Sequence, residues 1–312
     1  MKISPLVSVV VPFYNEQETI TEIHQRLKEA LLALPYSWEF IFVDDGSCDR
    51  TFAIIKTLKP VIAIRLRKNF GQTQALAAGI AHAHGEIIVT MDGDLENDPA
   101  DIPLLLTKLE EGYDIVSGWR KERWKNKWVT RRFPSALANL LISWVSGIRL
   151  SDHGCTLKAY RRWVLDSISL AGEMHRMIAA YAAREGARVL EIPIRFEPRR
   201  FGKSNYGLSR TFKVLLDILA LHFFHKYAKR PIHFFGGIGF FSFFISAITF
   251  FVMMYYKYFG GKTFIETPLP VLTTLFVIIG FQFILMGLLA EIVVRLPKEK
   301  YEQMEAETII NQ

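Results

Sequence analysis

The chain has 312 residues, enough for one large domain or two smaller ones, and 50% of them are hydrophobic, which is high for a soluble protein. Its formal net charge of +7 indicates an anionic partner, either nucleic acid or a membrane surface. The two cysteines, Cys48 and Cys155, have no metal-binding spacing. The sequence therefore excludes a cysteine-based zinc module and a disulfide framework, and it predicts free thiols in a reducing compartment.

The N-terminal part of the chain alternates between short apolar runs and segments with apolar residues at helical spacing. Strands are predicted at Leu6–Val11, Phe40–Val43, Val61–Leu66, Glu86–Met91 and Asp114–Ser117. Helices are predicted at Thr19–Leu34, Asp49–Leu58, Gln72–His84 and Asp101–Glu111. This alternation predicts an α/β fold in which a mostly parallel sheet is flanked by helices.

Three polar motifs follow strands of the predicted sheet. They are PFYNE at residues 12–16, DDGS at residues 44–47 and MDGDLE at residues 91–96. Ligands bind beyond the carboxyl ends of the strands in such sheets, so we expect the motifs to form one binding site. The sequence contains neither the glycine fingerprint of a dinucleotide site nor a Walker lysine loop.

The segment MDGDLENDP places carboxylates on alternate residues, Asp92, Asp94 and Glu96. One interpretation is a solvated turn at the end of a strand, and the other is a metal site. Hard oxygen ligands select Mg²⁺ or Mn²⁺, and such an ion commonly takes its remaining ligands from waters and a diphosphate. The motif alone does not decide between these interpretations.

Two long apolar stretches follow residue 230. Phe234–Tyr256 contains no charged residue, and neither does Leu269–Leu289. Each is long enough to cross a membrane as a helix, and a buried hairpin of a soluble protein is the alternative. Basic residues flank the pair at positions 226, 229, 230, 295, 298 and 300, and the N-terminus lacks the pattern of a signal peptide. These features predict an integral protein of a bacterial-type inner membrane, with the N-terminal domain and both termini in the cytoplasm.

A basic segment, KERWKNKWVTRR, occupies residues 121–132. Because two membrane spans follow, we expect its partner to be an anionic membrane surface and not nucleic acid. Phe133–Leu150 and Leu208–His225 have apolar residues at helical spacing. Both are predicted to be helices that lie either in the membrane interface or against the protein core.

Four segments occur in a characteristic order and spacing: SVVVPFYNEQETI, FIFVDDGSCDRT, NFGQTQALAAGIAHAHGEIIVTMDGDLENDP and SGWR. Together they resemble the family 2 glycosyltransferases of GT-A fold over roughly residues 5–210. Processive synthases of that family carry Q-x-x-R-W, whereas Ala159 stands at the glutamine position before Arg162 and Trp163. The segment RFEPRRFGKSNYG is instead similar to the polyprenyl-phosphate branch, which includes bactoprenol glucosyltransferases and dolichyl-phosphate mannose synthases.

The resemblance implies roles for individual residues. Nucleotide contacts are expected at Pro12, Tyr14, Glu16, Asp44, Asp45, Asp92 and Gly93. A divalent metal, Mg²⁺ or Mn²⁺, is expected at Asp92, Asp94 and Glu96. Catalytic roles are expected for Asp94 and Asp152, and contacts to an acceptor phosphate are expected for Arg120, Arg131, Arg200 and Lys203. Turn chemistry is the alternative for Tyr14, Asp44 and Asp152, and solvated or lipid-bound surface charge is the alternative for the basic residues.

The implied function is the transfer of a single hexose from a nucleotide-sugar to a polyprenyl phosphate at the cytoplasmic membrane face, with inversion at the anomeric carbon. UDP-glucose and undecaprenyl phosphate are the first substrates expected. A GDP-mannose donor, another lipid acceptor and a non-catalytic membrane scaffold are the alternatives. A scaffold predicts a decayed metal motif, whereas Asp92 and Asp94 are both present.

Four regions are expected along the chain. They are a GT-A catalytic domain over 1–205, an amphipathic helix over 206–232, two transmembrane helices over 233–296 and a cytoplasmic tail over 297–312. Glycines at 236, 237 and 239 would let helices approach closely, which is compatible with a homo-oligomer.

Overall fold

The computed structural model describes residues 6–121, 123, 143, 147–168, 176–198, 227, 230–295 and 306–311. The chain forms two compact units, one of Met1–Leu219 together with Tyr301–Gln312 and one of Ala220–Lys300. Residues 301–312, which fall in the predicted cytoplasmic tail, group with the first unit. The predicted helix at 208–225 lies outside the described residues, as does most of the one at 133–150.

The first unit begins with the predicted alternation of strands and helices. In chain order its elements are β1 Leu6–Phe13, α1 Ile20–Leu32, β2 Ser37–Asp44, α2 Thr51–Ile55, β3 Ile62–Leu66, α3 Gln72–Ala81, β4 Ile87–Thr90, a 3-10 turn at Pro99–Asp101, α4 Ile102–Glu110, β5 Ile115–Trp119, β6 Lys158–Arg161, α5 Arg162–Asp166, α6 Ile178–Arg184, β7 Val189–Pro193 and β8 Ala306–Asn311. The predicted elements up to β5 are all present, and their ends shift by a few residues.

The strands form one sheet in the order β7-β5-β6-β4-β1-β2-β3-β8. Strands β4, β1, β2 and β3 are parallel neighbours, and β5 is parallel to β7. Strands β6 and β8 run antiparallel to their neighbours. The predicted mostly parallel sheet is confirmed. Strands β6, β7 and β8 are not predicted from the sequence, because short strands that contain charged residues lack a clear apolar alternation.

Strand β1 is covered on both faces, which explains its nearly uninterrupted run of apolar residues. On one face Val11 packs in the same apolar cluster as Ile23 and Leu27 of α1. On the other face Val10 packs beneath α3, where a side chain on Gly79 would collide with it. This close packing on both sides fixes the position of the carboxyl end of β1.

In the described part of the second unit, α7 Ile232–Tyr258 and α8 Leu269–Arg295 flank a 3-10 turn at Phe264–Glu266. The Ser246 hydroxyl of α7 donates to the Thr273 carbonyl of α8 at 2.9 Å. Both helices are long and apolar enough to cross a membrane, with mean hydropathies of 2.1 and 2.4. Only 17% of the most apolar stretch of α7 and 11% of that of α8 are buried. This low burial favours membrane spans over the buried hairpin of a soluble protein.

Gly46, in the turn after β2, has a φ of +68°, and a Cβ atom there would lie 2.7 Å from the backbone nitrogen of Asn69. We expect Gly46→Ala to lower the free energy of unfolding by more than about 2 kcal/mol, because the left-handed backbone already costs alanine about 1–2 kcal/mol and the collision adds to it. Urea denaturation in detergent measures the change.

Gly186→Ala is the matched control. Gly186 also has a positive φ, +93°, but nothing lies within 4 Å of a Cβ atom there. The free energy of unfolding of Gly186→Ala should therefore fall only by the cost of the left-handed backbone. Equal losses in the two variants would mean that the close approach at Gly46 has no energetic consequence.

Candidate active site

The three polar motifs meet at the carboxyl edge of the sheet, because β1 lies between β4 and β2 and all three strands are parallel. The Asp45 amide donates to the Phe13 carbonyl at 2.9 Å, which joins the ends of β2 and β1. The Thr19 hydroxyl donates to the Gly93 carbonyl at 2.6 Å, which joins the segment after β1 to the turn after β4. The structure therefore brings these motifs together.

The loop after β1 is attached to the loop after β2. The Asn15 amide donates to Ser47 Oγ at 2.9 Å, and Asn15 has a φ of +54°, a conformation that asparagine tolerates. Pro12 is buried at the strand end, and Glu16 is half-buried. The side chain of Tyr14 is 40% exposed, so its ring is accessible to a ligand.

Asp44 is fully buried at the end of β2. Its Oδ1 accepts from the Ser47 amide at 3.1 Å, and its Oδ2 has no hydrogen-bond partner and lies 3.5 Å from Arg65 Nε. Burial raises the pKa of Asp44, while the bonds to Ser47 and the charge of Arg65 oppose the increase. The predicted nucleotide residue is thus a buried acceptor with one oxygen unused by hydrogen bonds.

Asp45 holds the loop that leads into α3. Its Oδ1 accepts from the Phe70 amide at 2.8 Å, and its Oδ2 accepts from the Gly71 amide at 2.9 Å. This loop places Gln72, whose side-chain amide donates to Asp92 Oδ1. Sequence reasoning missed Gln72, although it lies in the NFGQ segment between two of the motifs. Asp45 therefore positions a residue that contacts the predicted metal-binding turn.

The carboxylates of Asp92 and Asp94 lie in the turn after β4. Asp94 is buried, and its Oδ1 accepts from the Glu96 amide at 3.0 Å. Gly93 lies between them against the ring of Phe13, where a Cβ atom would collide with it. The turn is therefore compact, and only glycine fits at its centre.

The two carboxylates influence each other. Burial raises the pKa of Asp92 to about 7, and the charge of Asp94 adds to the increase. The Thr156 hydroxyl and the charge of Arg120 oppose it. A cation placed beside the pair would remove the repulsion that the charge of Asp94 causes, because an opposite charge favours the ionised form.

Glu96, the predicted third metal ligand, instead faces two arginines. Its Oε2 lies 3.3 Å from Arg123 Nη2 and 3.6 Å from Arg120 Nη1. Among the residues that the structure describes, no group of three or more His, Cys, Asp or Glu side chains is arranged to hold a metal ion. Glu96 is therefore neutralised by the arginines in this structure, and its role as a third metal ligand stays a prediction. The remaining pair still fits Mg²⁺ or Mn²⁺, which accept one or two carboxylates together with waters and substrate phosphates.

Asp152 and Arg120, predicted to serve catalysis and the acceptor phosphate, bind each other. Arg120 Nε donates to Asp152 Oδ2 at 2.8 Å, and Nη2 donates to Oδ1 at 3.1 Å. Burial opposes ionisation of Asp152, but the charge and hydrogen bonds of Arg120 lower its pKa below the usual value. Arg120 is itself only 4% exposed. The other predicted acceptor contacts, Arg131, Arg200 and Lys203, lie outside the described residues.

The raised pKa of Asp92 makes the stability of the metal-free protein depend on pH. Its pKa rises from 3.8 to about 7 on folding, so the folded state holds a proton that the unfolded chain releases within this window. Stability is therefore lost as pH rises from about 4 to about 7, and the loss is constant above that. Asp92→Asn, which keeps an acceptor for Gln72, should become progressively more stable than the wild type over this range.

Thermal unfolding in EDTA at several pH values across this window tests the expectation. A difference between variant and wild type that does not change with pH would contradict the assigned titration.

Two relatives match the chain over nearly its full length. It is 39% identical over 302 residues to a dodecaprenyl-phosphate galacturonate synthase of Rhizobium johnstonii, covering 93% of this chain and 88% of that protein. It is 34% identical over 296 residues to an undecaprenyl-phosphate 4-deoxy-4-formamido-L-arabinose transferase of an Enterobacter species, with coverage of 93% and 88%.

Solved structures share the fold over about 70% of the chain. One is glucosyl-3-phosphoglycerate synthase from Mycobacterium tuberculosis with Mn²⁺, UDP and phosphoglyceric acid, which is 20% identical, covers 71% of this chain and 78% of that chain, and has a TM-score of 0.55. Another is mannosyl-3-phosphoglycerate synthase from Rubrobacter xylanophilus, 16% identical, with coverage of 70% and 74% and a TM-score of 0.59. At this level of identity the likeness concerns the fold alone.

The model of the family described as "Glycosyl transferase family 2" matches residues 8–168, which is more than half of the chain. This range contains the three strand-end motifs as well as Arg120 and Asp152. The family predicted from the sequence is confirmed, and the chain belongs to glycosyl transferase family 2.

Proposed function

We propose that this enzyme transfers a single sugar from a nucleoside diphosphate to a polyprenyl phosphate. The observation that carries the proposal is the similarity to the galacturonate synthase over 93% of the chain. A match of this length must include residues of the two apolar helices. The pairing of Asp92 and Asp94 at the end of β4 also supports an active enzyme over a non-catalytic scaffold, because a scaffold has no need for two carboxylates close together at a ligand-binding edge.

The donor is expected at the loops after β1, β2 and β4. Tyr14 offers an exposed ring to the base, and Asp44 remains a proposed nucleotide contact at the end of β2, where its carboxylate is buried 3.5 Å from Arg65 Nε. Asp92 and Asp94 would hold Mg²⁺ or Mn²⁺, which neutralises the leaving diphosphate when it is bound. Gln72 would orient Asp92 through the hydrogen bond to Oδ1.

The acceptor is expected to react without a general base. A phosphate monoester is already ionised near neutral pH, so its oxygen can attack the anomeric carbon directly. The new bond joins that oxygen to the anomeric carbon, and the bond to the nucleoside diphosphate breaks with its electron pair leaving on the diphosphate. This displacement inverts the anomeric carbon.

Asp152 remains ionised during this reaction. Because Arg120 lowers its pKa, Asp152 stays ionised and orients Arg120, and it does not deliver a proton. Burial lowers the pKa of the neighbouring His153 to about 4, so this side chain is neutral near pH 7. Arg120 remains a proposed contact for the acceptor phosphate, together with Arg131, Arg200 and Lys203.

The sugar is the finer part of the proposal. The relatives are named for galacturonate and for 4-deoxy-4-formamido-L-arabinose, whereas glucose is the sugar expected from the sequence motifs. The higher identity of the galacturonate enzyme favours a hexuronic acid, and UDP is the expected carrier. Glucose and mannose donors are the competing substrates.

The proposed location is the inner membrane, with the catalytic unit and both termini in the cytoplasm. Helices α7 and α8 can both span a membrane. The pairing of β8 with β3 supports the topology, because the chain leaves the sheet before α7 and returns to it after α8. Two crossings would place both termini on one side.

Purified protein with labelled UDP-galacturonate, UDP-glucose or GDP-mannose and undecaprenyl phosphate tests the function. We expect label in the lipid phase from UDP-galacturonate, and we expect no transfer in EDTA or with unphosphorylated undecaprenol. Equal transfer to the alcohol would contradict the phosphate acceptor, and the absence of lipid product from every donor would contradict the function.

Asp94→Asn should lower kcat by about 100- to 1000-fold, the range for losing one preorganised electrostatic contact to a leaving group. Asp98→Asn is the matched control, because Asp98 follows the same turn but its side chain accepts from Ala100 and contacts Arg195. The control should keep the wild-type rate. Equal rates for Asp94→Asn and the wild type would remove Asp94 from the mechanism.

A further inference from the structure

The turn that carries Asp152, residues 151–153, is held by charged side chains from two strands. Glu191 lies on β7 and Lys158 lies on β6, and these strands are the two neighbours of β5 in the sheet. Both residues pair in register with Ser117 of β5. Arg120, the partner of Asp152, follows the end of β5 directly. The turn and its arginine are therefore supported by three adjacent strands.

Glu191 holds the first half of the turn. The Asp152 amide donates to Glu191 Oε1 at 2.8 Å, and the Ser151 amide lies 2.9 Å from each carboxylate oxygen. A carboxylate that accepts from two successive backbone amides fixes the orientation of the peptide group between them. Charge-assisted hydrogen bonds are about twice as strong as neutral ones, so this contact restrains Asp152 at its backbone.

Lys158 holds the second half of the turn. Its side chain is fully buried, and its Nζ donates to the His153 carbonyl at 3.2 Å. A buried ammonium is costly unless it is paired and hydrogen-bonded. An apolar residue at this position of β6 would pack without that cost. The presence of lysine therefore indicates a role other than stabilising the sheet.

The contacts of Glu191 and Lys158 with the turn orient the Asp152 carboxylate toward Arg120. The carboxylate accepts from Nε at 2.8 Å and from Nη2 at 3.1 Å, a bidentate geometry that requires both groups to be aligned. Arg120 Nη1 lies 3.6 Å from Glu96 Oε2, so the arrangement continues to the turn that follows Asp92 and Asp94. Movement of residues 151–153 would shift this whole group of charges.

We propose that Glu191 and Lys158 are positioning residues for the transfer reaction, and that they act by clamping the turn of residues 151–153 so that Asp152 holds Arg120. This assignment rests on the proposed function, in which Asp152 and Arg120 serve the acceptor. The side chains of Glu191 and Lys158 bond the turn of residues 151–153, while Lys158 pairs through its backbone with Thr90 at the end of β4. We therefore expect their loss to lower the rate of the chemical step more than the affinity for the nucleotide.

The test compares Glu191→Ala, Glu191→Gln and Lys158→Met. Glu191→Ala should lower kcat by about 100-fold, the effect of misplacing a group by about 1 Å, and the KM for the donor should change little. Glu191→Gln should recover most of the rate, because its amide oxygen can still accept from both backbone amides. Lys158→Met has a similar length without the charge, so it should lower kcat while leaving the unfolding temperature unchanged or higher.

Glu39→Gln is the matched control. Glu39 is a carboxylate on β2 that accepts from a backbone amide, that of His84 at 2.7 Å, away from the carboxyl edge of the sheet. It should keep the wild-type rate. A Glu191→Ala variant with wild-type kcat, or a Lys158→Met variant that loses rate only in proportion to lost folded protein, would overturn the proposal.

A second measurement separates this proposal from the proposed function. Hydrogen exchange at the amides of Ser151 and Asp152 should be slow in the wild type and faster by about tenfold or more in Glu191→Ala, since each 1.4 kcal/mol of lost protection is a factor of ten. Unchanged exchange would overturn the clamp even if no donor were found. Failure of the wild type to transfer any sugar would contradict the function, while faster exchange would still support the clamp.

Discussion

The parallel pairing of β1 with both β2 and β4 is the constraint on which the site depends. Parallel strands end at the same edge, so one central strand brings the segments after residues 13, 44 and 90 into contact. Hydrogen bonds between backbone and side chains then join these segments, as Thr19 and Gly93 illustrate. The apolar layers on both faces of β1 contribute no chemistry, but they prevent this edge from shifting.

Charge at this edge is arranged in two groups that differ in how they are balanced. Asp92 and Asp94 repel each other, and the raised pKa of Asp92 reflects their burial and proximity. Asp152, Arg120, Glu96 and Arg123 instead form a chain of alternating sign, linked by contacts of 2.8–3.6 Å. The first group gains from an added cation, whereas the second is already neutralised within the protein. This difference supports the proposal of a metal at the donor site and of a neighbouring acceptor site whose charges are already balanced.

The sequence alone predicted the parts of the site that depend on local pattern. Strand–turn–acid patterns predicted that Asp44, Asp45, Asp92 and Asp94 lie at one edge of the sheet, because a turn after a buried strand is visible in a few consecutive residues. It could not show that Glu96 faces arginines, since Arg120 and Arg123 come from beyond the next helix and strand. The contacts of Glu191 and Lys158 could not be predicted from the sequence for the same reason. Each lies in a short strand with no motif around it, and its role depends on a turn distant in sequence.

Strand β8 has a consequence for the order in which the protein can be assembled. It is made after both apolar helices, yet it lies at the edge of a sheet whose other strands all precede them. During synthesis the backbone groups of β3 therefore remain open on one side until α7 and α8 have emerged. An unpaired edge is a site for pairing with other chains. Prompt membrane insertion of the helices would thus also shorten the time for which the nascent sheet can join with another strand.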